Sequence, residues 1–198
     1  MMQFGFQRLA LLNSANYKLA TLPLDASVSL VAPNNKGKTS LINALQFMLI
    51  IDRRRMDFGS HEFTKAKQFY FPTSSSYILL EVSLPQTGTV VFGCVGKGVS
   101  HDYEYFAYKG ELKLEDYRQA DGNMVAQQQL INHLWSLDRE AYRYDSAEFA
   151  RLIYGGQSNK RKSGEPDFTV FKLEHVSDAK VFQQVLTRTL RLDKLNSQ

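Results

Sequence analysis

The sequence is short of cysteine, of long apolar runs and of any strong charge excess. One cysteine, Cys94, stands among 198 residues. A lone thiol makes no internal disulfide and builds no cysteine zinc site. The longest apolar run, Phe47-Met48-Leu49-Ile50-Ile51, falls far short of the roughly 20 residues that span a bilayer. The start, Met1-Met2-Gln3-Phe4-Gly5-Phe6, lacks the basic stretch and following apolar stretch of a secretory signal. These absences read as a cytosolic, cytoplasmic protein. The charge balance is mild: 24 Lys+Arg against 20 Asp+Glu, a net +4. Such an excess permits a polyanionic partner without demanding one. Neither H-x-x-x-H nor C-x-x-C spacing occurs, and the four histidines fall in no triad-like arrangement. What remains is ordinary, with 43% hydrophobic and 22% charged residues. That excludes a disordered or collagen-like chain, and the length sets one sizeable core or at most two small ones.

The pattern along the chain predicts an α/β fold. Phe4 to Leu12 reads as a strand, Asn13-Ser14-Ala15-Asn16 as a turn, and Tyr17 to Leu24 as a second strand. Pro23 places the end of that strand at a sheet edge. Val28-Ser29-Leu30-Val31-Ala32 suits a short buried strand. From Lys38 to Ile51 apolar residues recur at helical spacing on a face so wide that the helix should be buried on most sides. Ser76 to Leu84 and Thr89 to Val95, joined by Pro85-Gln86-Thr87-Gly88, form a predicted hairpin. Tyr103 to Tyr108 alternates as a third strand, completing an antiparallel meander. Asp121-Gly122-Asn123 is expected to start a helix carrying Leu130, Ile131, Leu134 and Leu137. Ser146 to Leu152 is a shorter helix. Gly155 to Gly164 reads as a polar, basic, mobile loop. A last helix is expected from Ser177-Asp178, with Phe182, Val185, Leu186 and Leu190 on one face. It meets no Gly or Pro stop before Gln198, so the chain looks cut. Residues 1–175 then form one unit and 176–198 the start of an exit helix.

One segment carries chemistry. Ala32-Pro33-Asn34-Asn35-Lys36-Gly37-Lys38-Thr39 fits G-x-x-x-x-G-K-[ST] except at its first position. Such a loop wraps a phosphate with backbone N–H groups, and Gly37 lets the main chain approach without a Cβ clash. Lys38 supplies a point charge to the β- and γ-phosphates. The Thr39 hydroxyl, with Ser40 beside it, can hold Mg²⁺. The helix that follows adds a dipole favouring anions. Asn34, Asn35, Lys36, Gly37, Lys38, Thr39 and Ser40 are therefore the candidate ATP-binding residues. The predicted strand before and helix after are the context the motif needs. The bland alternative is an ordinary strand–loop–helix connection with an incidental Gly-Lys-Thr.

Several other features are weaker. No apolar strand ends in the Asp or Asp-Glu of a Walker-B element, and Leu79-Leu80-Glu81 lies mid-strand. Tyr154-Gly155-Gly156-Gln157 looks like part of an ABC-type signature, yet the residues after it are polar, so Gly155-Gly156 reads as a helix stop. Arg53-Arg54-Arg55 and Lys160-Arg161-Lys162 are basic clusters that could meet nucleic-acid phosphates. The favoured reading is a cation-rich helix end and a solvated loop.

A P-loop near the N-terminus, an antiparallel meander and a helix running off the C-terminus resemble the N-terminal half of an SMC-type ATPase head. The closest likeness is to the MukB, MksB and JetC branch. Leu9-Ala10-Leu11-Leu12-Asn13, followed by Leu22-Pro23-Leu24-Asp25, resembles that branch's lead into the P-loop, although Ser14 replaces the usual Trp and Ala32 the usual Gly. Thr187-Arg188-Thr189-Leu190-Arg191 resembles its exit into the coiled coil. The resemblance implies a P-loop NTPase fold and binding of ATP with Mg²⁺. It implies partnership with a C-terminal half of the head, a second head, DNA and accessory subunits. It also puts hydrolysis beyond this fragment, because the signature motif and Walker B belong to the other half. Gln157 is its candidate Mg²⁺-contacting loop glutamine, and Asn16 to Lys18 would flank the nucleotide. The role implied is chromosome or plasmid maintenance, or defence against foreign DNA. An SbcC-type repair ATPase head and a non-catalytic, degenerate P-loop module are the alternatives.

Overall fold

The structure, a computed structural model, describes residues 5–25, 36–155, 162–172, 178 and 180–188. Its frame is a six-stranded sheet in the order β2-β1-β3-β4-β5-β6, with every neighbouring pair antiparallel. The strands are β1 (Gly5–Ser14), β2 (Tyr17–Pro23), β3 (Tyr77–Leu84), β4 (Gly88–Gly96), β5 (Tyr103–Lys109) and β6 (Tyr142–Tyr144). The helices are α1 (Lys36–Leu49), α2 (Phe63–Tyr70), α3 (Gln127–Ser136), α4 (Ser146–Tyr154) and α5 (180–188).

Local chemistry explains most of these elements. β1 and β2 pair from Ser14↔Tyr17 outward, so Ala15 and Asn16 form a two-residue turn, with φ of 54° and 65°. Two positive φ values match the twist of a hairpin. Ala15 lacks the side chain usual there; its N–H donates to the Phe69 carbonyl, a tertiary tie at the end of α2. β2 is an edge strand, which accommodates Pro23. The predicted hairpin and meander appear as β3-β4-β5, within a residue or two of their expected bounds.

Both faces of the sheet are covered. On one face Leu9, Leu11, Ile78, Leu80, Phe92 and Tyr105 pack beneath α1, α2 and α4. On the other, Ala10, Leu12, Tyr77, Leu79, Val91 and Tyr108 meet Leu112, Tyr117 and α3 through Leu130 and Leu134. β5 therefore does not alternate between core and solvent as expected. Burial on two faces gives a strand a nearly continuous apolar run.

α1 lies buried from Leu41 to Leu49, as its wide apolar face predicts. Its end is closed by tyrosines from distant segments. The Tyr105 hydroxyl donates to the Phe47 carbonyl at 2.6 Å and that of Tyr154 to the Leu49 carbonyl at 2.5 Å. These carbonyls belong to the last turn, which a helix alone leaves without partners. Ile51 then turns the chain at φ 69°, a left-handed value costly for a β-branched residue.

Expectations for α3 and α5 are corrected. Asp121-Gly122-Asn123 does not start a helix. The Asp121 carboxylate accepts from the Asn123 N–H at 2.9 Å, a tight turn, and α3 begins at Gln127. Leu137 falls after α3 and is 42% exposed. In α5, Phe182 and Leu186 do pack on the core, but Val185 is 50% exposed and Gln183 is buried instead. Leu190, the strand Val28–Ala32 and the bounds of the exit helix lie outside the described residues.

Candidate functional site

α1 begins at Lys36, so Gly37, Lys38, Thr39 and Ser40 occupy its opening turns. At Lys36, Gly37 and Lys38 the helical backbone alone is described, and Asn34, Asn35 and Gln157 lie outside the described residues. The first turn holds no acidic residue. Two lysines at the positive end of a helix dipole oppose that dipole, and a carboxylate there would relieve it. Such a sequence is poor for an isolated helix and suited to a bound anion, since the first turn of any helix carries N–H donors with no intrahelical partner.

Thr39, Ser40 and Asn43 form one wall of a cavity of about 680 Å³. The facing wall comes from α2 and the segment before it: Phe58, Ala66, Phe69 and Tyr70 supply apolar surface, while His61, Lys65 and Gln68 supply polar groups. The volume is in the range of small-molecule sites, about 300–1,000 Å³.

Three contacts fix this wall against α1. The Tyr70 hydroxyl donates to the Ser40 carbonyl at 2.7 Å. Burial, with Tyr17 adding to it, pushes the Tyr70 phenol well above its ordinary range, so it stays a donor. Gln46, buried within α1, brackets Asp57 like a strand: its amide donates to the Asp57 carbonyl at 2.8 Å, and its oxygen accepts the Asp57 N–H at 2.7 Å. The Phe47 ring sits 5.5 Å from Phe58 and 5.3 Å from Tyr70.

α2 is the part of the site that sequence reading missed. Phe63, Ala66 and Tyr70 have helical spacing, the one signal available, but the helix is eight residues long and its N-cap, Glu62, makes no capping hydrogen bond. Asn16, Tyr17 and Lys18 belong to the β1–β2 turn and the start of β2, and do not line the cavity.

The arginine run is partly consumed by the fold. Arg53–Arg55 form a 3₁₀ turn after α1. The Arg53 guanidinium lies 5.1 Å from the Phe63 ring centre and 4.9 Å from that of Tyr103, near Asp102 at 3.8 Å. Arg54 grips Asp52 through two hydrogen bonds of 3.2 Å, and these hold the Asp52 carboxyl below its usual range. Arg55 lies 3.6 Å from the same carboxylate. The favoured reading of a cation-rich helix end is consistent with these pairings. In the second cluster, Lys162 donates to the Arg143 carbonyl at 2.5 Å and lies 4.5 Å over Tyr144, so it is not a freely solvated loop residue. Lys160 and Arg161 lie outside the described residues.

Gly155 ends α4 at φ 64°, which fits its reading as a helix stop. Cys94 is fully buried, and burial raises its thiol well above the ordinary range, so it stays protonated and unreactive. Among the described residues no group of three or more His, Cys, Asp or Glu could hold a metal ion. None of the helices among them is long and apolar enough to cross a membrane.

A family model described as "Putative Mks condensin complex protein MksF" matches residues 1–195. The chain thus belongs to a condensin-related family, one whose members serve in a multi-subunit complex. That family is MksF, and its name points to chromosome maintenance. No curated protein matches the chain.

Proposed function

We propose that this chain is the ATP-binding half of an SMC-like ATPase head working within an Mks complex on DNA. The observation that carries the reading is the start of α1: the Gly37-Lys38-Thr39 sequence falls in an opening turn without a carboxylate, and Thr39 and Ser40 line a cavity of about 680 Å³. The residues present fit a nucleotide on chemical grounds. Lys38 would neutralise the phosphates, and Asn34, Asn35, Lys36 and Gly37 would line the cradle. Thr39, with Ser40, would hold the Mg²⁺ that accompanies the nucleotide. ATP bound there supplies a γ-phosphate whose presence joins two heads and whose loss releases them, as the SMC-like resemblance implies.

The chain's own part in this reading is to bind and orient. The first turn of α1 would offer N–H donors to the phosphates, while Tyr70 and Gln46 hold the opposite wall in place. Hydrolysis would await a C-terminal half bearing the Walker-B acid, since no such element is found in the sequence. The head would then be a P-loop NTPase lobe, with a second head, DNA and accessory subunits as its partners.

Calorimetry with Mg²⁺-ATP on the wild type and on Lys38→Ala tests this, with an ATPase assay alongside. The expected result is Lys38-dependent binding without turnover, the substitution weakening affinity by about a hundredfold or more. A folded chain that binds no Mg²⁺-ATP would favour the non-catalytic module. Robust turnover would point to a complete P-loop enzyme. An SbcC-type head would share the binding result and differ in assembling with a nuclease.

A further inference from the structure

We propose that Lys65, on α2, is a second phosphate-binding cation of the cavity at the start of α1, and that the cavity is shaped for a nucleoside polyphosphate. This deepens the nucleotide reading and rests on it. The cations around α2 divide into two sets. Lys67 is committed to the fold: its ammonium lies 2.8 Å from Asp102 Oδ1. Arg53, nearby, is held between two aromatic rings and faces the same carboxylate. Lys65, two residues from Lys67, has no hydrogen bond or ion pair among the described residues, and it lines the cavity with Thr39 and Ser40.

Among the described residues the cavity wall contains no carboxylate. Lys65 and the imidazole of His61 stand on one side, and the positive end of the α1 dipole on the other. An anion between them would be attracted from both sides. Phe58 and Phe69 give the same cavity apolar surface, which a free inorganic ion would not use. A ligand with a polyanionic tail and a flat, partly apolar head matches both. Lys65 is exposed, so its loss should cost little stability.

The test is calorimetric titration of the whole chain with Mg²⁺-ATP and with Mg²⁺-tripolyphosphate. The variants are Lys65→Ala, Lys65→Arg and, as a charge-matched control, Lys113→Ala, an exposed lysine that precedes a 3₁₀ turn (Leu114–Tyr117) on the opposite face of the sheet. Lys65→Ala should weaken both ligands by about tenfold, while Lys65→Arg stays within about threefold of wild type. Lys113→Ala should bind as wild type, and all three should melt with the wild type. Undiminished binding by Lys65→Ala overturns the proposal. So does a loss confined to ATP, which would mean a contact to the base. If the folded wild type binds neither ligand, the nucleotide reading falls with it. Binding that needs Lys38 but ignores Lys65 removes this inference alone.

Discussion

At the scale of the residue, Gly93 shows how one missing methyl group sets the packing of a strand pair. It faces Phe106 across β4 and β5, and a Cβ built at Gly93 would lie 2.1 Å from that ring. The ring is itself confined, edge-on to Tyr77 at 6.3 Å and near Tyr117 at 6.3 Å. It has little room to give, and overpacking a confined core site costs about 1–3 kcal/mol. Gly93→Ala should therefore cost that much unfolding free energy, read as a lower urea midpoint, and Phe106→Leu in the same chain should recover part of it. Equal losses with and without the second change would show that the ring is not the obstacle. The sequence displays Gly93 only as a weak residue in a strand; the ring above it comes from another strand, thirteen positions on.

At the scale of the element, α4 and α3 show two ways of starting a helix. α4 opens on a capping box: the Asp145 carboxylate accepts the Glu148 N–H at 2.8 Å, and Glu148 accepts the Asp145 N–H at 3.0 Å. This start is local, and sequence reading found the helix within two residues of its true end. Asp145→Ala should cost about 1 kcal/mol, seen as a lower urea midpoint with an unchanged slope. No loss would mean that packing of Phe149 and Ile153 alone sets the helix. α3 has no side-chain cap; its start is fixed from afar, the Gln127 N–H donating to the Ser74 carbonyl at 2.8 Å and Tyr77 reaching the Val125 carbonyl at 2.5 Å. The local signal at Asp121-Gly122-Asn123 was turn chemistry, which begins a helix or ends a loop with equal ease.

At the scale of the whole molecule, the Phe47 ring ties α1, α2 and the sheet together. Its centre lies 5.2 Å from Phe71, 5.3 Å from Tyr70 and Tyr103, 5.5 Å from Phe58 and 6.1 Å from Phe63. Phe47→Ala should cost about 3–5 kcal/mol, and it should also weaken Mg²⁺-ATP binding, because α2 would lose its seat against α1. A melt that falls while binding persists would separate the site from this core. The sequence by itself determined the periods: the long α1, the β3-β4-β5 meander, the β1–β2 hairpin, and the Gly37-Lys38-Thr39 that names the candidate site. Each depends on residues a few positions apart, where spacing and turn chemistry act directly. Only the tertiary structure decided that both sheet faces are covered, that α2 stands across a cavity from the start of α1, and that Arg53 is held between rings while Lys65 lines the cavity with no ion pair among the described residues. Those outcomes rest on contacts such as Tyr70 to Ser40 and Tyr154 to Leu49, separated by 30 and 105 positions. No local spacing encodes such pairings; they form because buried hydroxyls and carbonyls must find partners wherever the packed core places them.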